Sequence, residues 1–312
     1  MTERKIISVL GATGVQGGSV VRALLADGEF AVRAITRAAD SAKDLADLGA
    51  EIVVADLYDT GSLRRVFDGA YGIYMVTPFF NHLSPAKELE EVRNLIAAAK
   101  ETGPRHVIWS TLEDSREDIP DDYHRLPKFD DGYNVPHFDV KGGVADRLFA
   151  ESGLPTTYLR LSNYFSNLLL FDPPIRKADG SIIVPLPIGD ATMSSMAPED
   201  VGKAVAAIFR RPAETIGHTL GLSGQYLTGK DIAEAFSEVL GVPVTYEPLS
   251  HDEYRKLDFA SAKEMGNMFQ YYADFAHKIL PRRDRELTRS LVPNPITLKE
   301  YLTRHRADIK IG

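Results

Sequence analysis

A chain of 312 residues that is 44% hydrophobic and 26% charged has the composition of a globular protein, and it is long enough for a large α/β domain with a smaller lobe. The formal charge of −8 gives no reason to expect nucleic-acid binding, and the lack of cysteine excludes disulfides, thiolate chemistry and cysteine-ligated metals. The sequence shows no leader and no membrane-spanning run, so we expect a cytoplasmic protein that does not bind membranes.

The first half of the chain alternates between short apolar runs and stretches with helical periodicity. Runs rich in β-branched residues predict buried strands at 6–11, 31–37, 51–57, 72–78 and 106–111. The stretches between them predict helices at 17–28, 41–50, 60–70 and 86–103. Such alternation is typical of βαβ units around a parallel sheet. The sequence therefore predicts an α/β fold with a Rossmann-type doubly wound parallel sheet.

The middle of the chain changes character at residues 113–136. This segment is rich in acidic residues and proline and has no period, which predicts a long surface loop with a functional role. A helix is expected at 137–152 and a sixth strand at 156–162.

We expect a Rossmann domain at 1–155, whose sheet also takes the strand at 156–162. Residues 163–312 are expected to form mainly a smaller C-terminal α/β lobe over the cleft, with some segments returning to the first domain.

Three glycines at a spacing of three follow the first predicted strand and open the first helix. In Gly11-Ala12-Thr13-Gly14-Val15-Gln16-Gly17, the first glycine permits a tight turn and the second lets backbone amides approach a pyrophosphate. The third lets the helix pack closely on the strand, and the phosphates lie at the positive end of the helix. A glycine-rich turn without a ligand is the alternative, but the strand–turn–helix context favours a dinucleotide site.

The end of the second predicted strand indicates which dinucleotide binds. Proteins that bind NAD usually carry an acidic residue there, which binds the ribose hydroxyls. This strand ends in Thr36 and Arg37, and a guanidinium suits a 2′-phosphate, although a solvated arginine is the alternative. We therefore predict NADP(H) as the cofactor, with Asp56 and Leu57 beside the adenine and Thr77 beside the nicotinamide half.

Several segments together resemble one protein family. They are GATGVQGGSVVRALL, VRAITR, VPHFDVKGGVADRLFAESGLP, LRLSNYFSNLL and MFQYYA. With these segments in order along the whole chain, it resembles the NmrA-like family, atypical members of the short-chain dehydrogenase/reductase superfamily. It looks most like the animal-type members described as NADPH sensors. The resemblance implies a Rossmann domain of six or more parallel strands and a smaller lobe over the cleft.

The resemblance also implies which residues bind the cofactor. The glycine loop holds the phosphates, Arg37 selects the 2′-phosphate, and Lys141 is the active-site lysine. The YFSN segment matches the family's YFEN segment, which lies along the nicotinamide and phosphate side. The residues implied by motif are Gly11, Ala12, Thr13, Gly14, Val15, Gln16, Arg37, Asp56, Leu57, Lys141, Tyr164, Phe165 and Asn167. One departure is that this chain follows Arg37 with AADSAK instead of further basic residues, which weakens the expected phosphate discrimination.

The expected catalytic apparatus is altered. Short-chain dehydrogenases use Tyr-x-x-x-Lys, but the residue four before Lys141 is His137. A neutral imidazole is a weak acid, and a neighbouring ammonium disfavours its protonated form. Ser110, at the end of the fifth strand, and Tyr133, eight residues before the lysine, are further candidate proton donors. The alternatives are a helix residue without chemical duty for His137 and a hydroxyl that bonds its own backbone for Ser110.

Two functions follow from these observations. The first is a regulatory protein that senses NADPH or NADP and changes its shape or partner with cofactor occupancy. The second is an NADPH-dependent oxidoreductase that acts on a small carbonyl, quinone or enone. The resemblance also implies a protein partner and a homodimer. The eight histidines lack the paired spacing typical of metal sites, so no metal is expected.

Overall fold

The computed structural model describes residues 4–312, and these form two compact units. The first unit takes the chain up to residue 114, with 137–161 and 198–220, and the second takes 115–136, 162–197 and 221–312. The first three residues, at the N-terminus where a leader was not expected, lie outside the described part. Within residues 4–312, none of the helices is long and apolar enough to cross a membrane.

The strands are short, as expected for buried parallel pairing. In chain order they are β1 Lys5–Val9, β2 Phe30–Thr36, β3 Glu51–Val54, β4 Gly72–Met75, β5 His106–Thr111, β6 Thr156–Arg160, β7 Asn163–Tyr164, β8 Ile175–Arg176, β9 Ile182–Val184, β10 Thr192–Met196, β11 Thr219–Gly221, β12 Gln225–Thr228 and β13 Val244–Tyr246.

The main sheet has seven strands in the order β11-β6-β5-β4-β1-β2-β3. Strands β1 to β6 pair in parallel, with Ile7 of β1 opposite Val32 of β2 and Gly72 of β4. The order reverses at β1, which is the switch point where ligands of open α/β sheets bind. The predicted Rossmann-type doubly wound sheet is confirmed.

The helices connect these strands. They are α1 Val15–Asp27, α2 Lys43–Asp47, α3 Thr60–Phe67, α4 Pro85–Thr102, α5 Pro136–Phe138, α6 Asp146–Ser152, α7 Asn167–Leu170, α8 Pro198–Arg210, α9 Pro212–Thr215, α10 Gly229–Leu240, α11 His251–Arg255, α12 Ala262–Asp274, α13 Ala276–Ile279, α14 Arg285–Leu291 and α15 Leu298–Arg304.

Helices cover the main sheet on both faces. On one face, Leu63 of α3, Leu95 of α4 and Phe149 of α6 pack in one apolar core with Ile73 and Trp109 of the strands. On the other, α8 packs against α1, and the ring of Phe209 in α8 lies 6.2 Å from that of Phe30 in β2. Burial on both faces explains why the strands read as nearly continuous apolar runs.

The helix expected at 137–152 is not a single α-helix. Between α5 and α6 the chain forms a π-helical segment, Asp139–Ala145. Its residue Gly142 lies against the backbone that follows β5, because a Cβ there would be 2.3 Å from the carbonyl carbon of Glu113. The chain is thus helical over the predicted residues, but the π-helical geometry of its centre was not predicted, because a wider turn is set by tertiary packing and carries no periodic signal.

The segment 113–136 is irregular, apart from a 3-10 turn at Ser115–Glu117, but the expectation of a surface loop is only partly right. Ile119 and Leu126 are buried, and Asp118 accepts hydrogen bonds from both terminal nitrogens of Arg282, at 2.7 and 2.8 Å. Most of this segment therefore belongs to the second unit. That unit also holds two three-stranded sheets, β12-β10-β7 and β13-β9-β8.

Candidate dinucleotide site

The first βα turn of the main sheet has the conformation that its glycines predict. Gly11 adopts a φ of +62°, in the left-handed region that favours glycine. The amide of Gly14 then donates to the carbonyl of Gly11 at 2.9 Å, and α1 begins at the next residue. No acidic residue lies in the first turn of α1. The N-terminus of this helix therefore offers backbone N–H groups and a positive dipole to an anion.

Gly17 joins the helix to the strand below it. A Cβ at this position would lie 2.3 Å from the carbonyl oxygen of Gly11 and 2.6 Å from that of Leu10. Since these neighbours are backbone atoms, they cannot move aside without shifting the turn. The close helix–strand approach expected at the third glycine is thus a property of this structure.

Gln16 ties the turn to the two neighbouring strands. Its side-chain oxygen accepts a hydrogen bond from the Tyr74 hydroxyl at 2.8 Å and one from the Ser110 hydroxyl at 2.9 Å. Tyr74 is completely buried, and burial raises the pKa of its phenol. The hydroxyl hydrogen of Ser110 is therefore directed to Gln16, which reduces its availability as a proton donor.

Arg37, Asp56 and Leu57 follow the carboxyl ends of β2 and β3, the two strands beside β1 on this side. Arg37 follows β2 directly and is exposed. Asp56 is also exposed, and its carboxylate accepts a hydrogen bond from the backbone amide of Tyr58 at 2.9 Å. The carboxyl ends of neighbouring parallel strands meet at one edge of the sheet, so these residues and the glycine turn share that edge. Their roles toward the cofactor stay predictions.

Lys141 lies in the π-helical segment and is nearly buried. Its ammonium donates to the carbonyl oxygen of Thr77 at 3.2 Å, to the Thr77 hydroxyl at 2.5 Å and to Oε1 of Glu88. Glu88, in the first turns of α4, is completely buried. An ammonium has three donors, and all three are used here, so Lys141 reaches a ribose hydroxyl only by releasing one of them. Its expected role as ribose anchor stays a prediction.

Sequence reasoning missed Glu88. It is one of four glutamates in α4, and the sequence does not indicate that it is buried beside a lysine 53 residues away. The available signal was the pair Glu88 and Glu91, three apart on the apolar side of α4, where Val92 and Leu95 also lie.

His137 is buried in an aromatic group instead of projecting as an isolated acid. Its ring centroid lies 4.9 Å from that of Phe80 and 5.9 Å from that of Phe79. Phe79 is buried, whereas Phe80 is 50% exposed. The role of His137 as a proton donor stays a prediction.

The other predicted residues belong to the second unit. Tyr133 lies under the guanidinium of Arg116, 5.2 Å from its ring centroid. Tyr164 ends β7, Phe165 is buried, and the side-chain amide of Asn167 donates to the side-chain oxygen of Asn163 at 2.8 Å. Their assignment to the cofactor, like that of Tyr133 to catalysis, stays a prediction.

The chain is similar to proteins of known activity. An NAD(P)H azoreductase of Xenophilus azovorans is 26% identical over 251 residues, which cover 80% of this chain and 79% of that protein. The fold of this chain matches that of NmrA, a negative transcriptional regulator crystallised with NADP. The TM-score is 0.77 at 22% identity, over 97% of this chain and 95% of that one.

An NADPH-dependent quinone oxidoreductase of Escherichia coli, crystallised with NADPH, matches with a TM-score of 0.73 and 22% identity, over 96% of this chain and 98% of that one. At 22% identity, the likeness of this chain to NmrA and to the quinone oxidoreductase shows a common fold only. A profile of the NmrA-like family matches residues 3–302. The protein therefore belongs to the NmrA-like family.

Proposed function

We propose that this chain binds NADP(H) across the glycine turn and acts as a reductase for an acceptor that needs no strong side-chain acid. The observation that carries the cofactor assignment is the turn itself, with Gly11 at positive φ and Gly17 against the backbone below it. Arg37 would bind the 2′-phosphate, and the N-terminus of α1 would bind the pyrophosphate. NADPH supplies a hydride when it is bound.

The acceptor class follows from what the candidate proton donors do. The hydroxyl of Ser110 donates to Gln16, His137 lies among phenylalanine rings, and the charge of Lys141 is balanced by Glu88. A simple ketone reduced by hydride gives a basic alkoxide, which needs an acid beside it. A quinone takes the hydride and becomes a hydroquinone monoanion, which the aromatic ring stabilises and which can take its one proton from water. The residues present therefore suit a conjugated acceptor better than an isolated carbonyl.

An exposed aromatic ring supports the same acceptor class. Phe80 is half exposed and packs on the buried ring of His137, so its free face offers flat apolar surface on which a planar conjugated molecule can stack. The similarity to an azoreductase and to a quinone oxidoreductase agrees with this proposal.

A sensor of NADPH or NADP is the second candidate function. The ion pair of Lys141 with Glu88 and the absence of a tyrosine four residues before Lys141 favour it, because both weaken the usual proton transfer. Such a sensor must bind the two redox forms, or one cofactor in two conformations, with different affinities. The likeness to NmrA, a transcriptional regulator, supports this alternative.

The decisive experiment measures NADPH oxidation with quinones, azo dyes and simple ketones under identical conditions. We expect turnover with the conjugated acceptors and none with the ketones. Phe80→Ala should raise KM for the acceptor, while Phe259→Ala, at an exposed phenylalanine of the second unit, should leave it unchanged. Tight NADPH binding without oxidation by any acceptor would contradict the reductase and leave the sensor.

A further inference from the structure

A group of titratable side chains includes Glu88, the carboxylate that accepts from Lys141. Glu88 and Glu91 project from the same side of α4, with side chains 0% and 3% exposed. His82, from the turn before α4, places its Nε2 3.7 Å from Oε2 of Glu88 and 3.5 Å from Oε2 of Glu91. Among residues 4–312, these three atoms have no hydrogen-bond partner. Buried polar atoms of this kind need a shared proton, a water molecule or an ion between them.

The backbone fixes which nitrogen of His82 carries a hydrogen. The amide of Ser84 donates to Nδ1 of His82 at 3.0 Å, so Nδ1 acts as the acceptor. In the neutral ring, the hydrogen is then on Nε2 and points toward the two carboxylates.

The same hydrogen bond argues against a metal ion. A histidine that ligates a metal through Nε2 usually donates its Nδ1 hydrogen to an acceptor. Here Nδ1 faces a donor, the Ser84 amide. A proton suits this group better than a cation does.

The two carboxylates differ in their donors. Oε1 of Glu88 receives the ammonium of Lys141 and, at 2.5 Å, the hydroxyl of Thr77. Glu91 has no cation of this kind within the described chain, and the groups that face it are Glu88, His82 and Tyr58. Burial raises the pKa of the Glu91 carboxyl and the charge of Glu88 raises it further, while Tyr58 and His82 lower it. One ammonium can balance one carboxylate, so the second must hold a proton.

We propose that Glu91 carries a proton at neutral pH and, together with His82, leaves Glu88 as the dedicated counter-ion that positions Lys141. Glu88 is thus a positioning residue, which acts through the lysine. The link to cofactor binding rests on the proposed NADP(H) function, whereas the proton on Glu91 does not.

The first test examines the proton without any cofactor. We expect the infrared difference spectrum at pH 7 between the wild type and Glu91→Gln to contain the band of one protonated carboxyl group. Glu90→Gln, at the exposed neighbouring position, should show no such band. A difference spectrum with only an ionised carboxylate band for Glu91, or stoichiometric binding of Zn²⁺ that Glu91→Gln abolishes, would overturn the proposal.

The second test examines the positioning of Lys141 through NADPH affinity as a function of pH. We expect Glu88→Gln to raise the Kd for NADPH about tenfold, as for the loss of one charged hydrogen bond. Wild type and Glu90→Gln should share a pH-dependent step in Kd that Glu91→Gln lacks. Identical pH profiles in all variants would refute the positioning role. If no variant or wild type binds NADPH, the cofactor proposal fails, and the infrared result still decides the proton on Glu91.

Discussion

The glycine turn, residues 11–17, and the Lys141 pocket, made of Lys141, Thr77 and Glu88, lie in the same unit but are built in opposite ways. The turn is made of consecutive residues, and it offers backbone N–H groups that need no side chain. The pocket is made of side chains from two distant segments of the chain, Thr77 with Glu88 and Lys141, held by one buried ion pair. A site of the first kind can be predicted from spacing, whereas a site of the second kind depends on which charges the fold buries together.

We expect the largest loss of stability from a substitution in the Lys141 pocket. Lys141→Met leaves Glu88 buried without its cation, so we expect the free energy of unfolding to fall by about 3–5 kcal/mol. Lys141→Met/Glu88→Gln should recover much of this loss, because neither charge remains. Lys100→Met, at an exposed lysine of α4, should change little. Chemical denaturation of the four proteins measures these differences, and equal stability of Lys141→Met and wild type would contradict a buried ion pair.

The next effect tests the backbone-built region. Gly17→Ala places a methyl group 2.3 Å from the carbonyl oxygen of Gly11, so the turn must shift. We expect the free energy of unfolding to fall by about 1–3 kcal/mol and NADPH binding to be lost. At Gly18 the nearest atom to an added Cβ is the Ala12 oxygen at 3.1 Å, so Gly18→Ala should have a smaller effect. Denaturation and calorimetry check both variants, and unchanged binding by Gly17→Ala would show that the turn does not hold the cofactor.

A smaller effect sharpens the assignment of the phosphate end. Arg37→Ala should reduce the preference for NADPH over NADH by about ten- to a hundredfold, the loss expected for charge-assisted hydrogen bonds. Arg105→Ala is the matched control, because this exposed arginine precedes the amino end of β5, at the opposite edge of the sheet. The ratio of the two dissociation constants is the measurement. An unchanged ratio in Arg37→Ala would remove the arginine from the phosphate site.

We expect the smallest change in the fluorescence of Trp109 as a function of pH. Trp109, the single tryptophan, donates from its ring nitrogen to Asp146 at 2.9 Å, and burial raises the pKa of Asp146 from 3.8 to about 7. We expect tryptophan fluorescence to change with a midpoint near this value, a change that Asp146→Asn abolishes and Glu151→Gln keeps. The unfolded chain loses this proton more readily, so the contribution to stability declines as pH rises from about 4 to 7. A flat fluorescence profile in the wild type would contradict the contact.

The sequence predicts the main sheet well for a physical reason. Strand β5 occupies the predicted residues, because a short run rich in β-branched residues that follows Gly103 and Pro104 indicates a strand after the end of a helix. Strand β3 ends at Val54, earlier than the expected 57, since the next residues already turn toward α3. The π-helical segment could not be predicted, because it depends on the contact of Gly142 with a distant backbone.

The candidate site divides in the same way. The glycine turn and Arg37 were identified from local spacing, and the structure places them along one edge of the sheet. The burial of Glu88, the hydrogen bond of Ser110 to Gln16 and the tautomer of His82 depend on contacts between distant segments. These contacts decide which hydrogen bonds each group makes, so the chemistry of the pocket was less predictable than its location.

The proposed reductase and the proposed sensor both require that a phosphorylated dinucleotide bind at the glycine turn. Isothermal titration calorimetry of the purified chain with NADPH, and with NADH under the same conditions, measures this binding without any acceptor. We predict a saturable heat for one NADPH per chain, with NADH binding more weakly. No heat with NADPH at micromolar protein, or equal affinity for the two cofactors, would contradict this account.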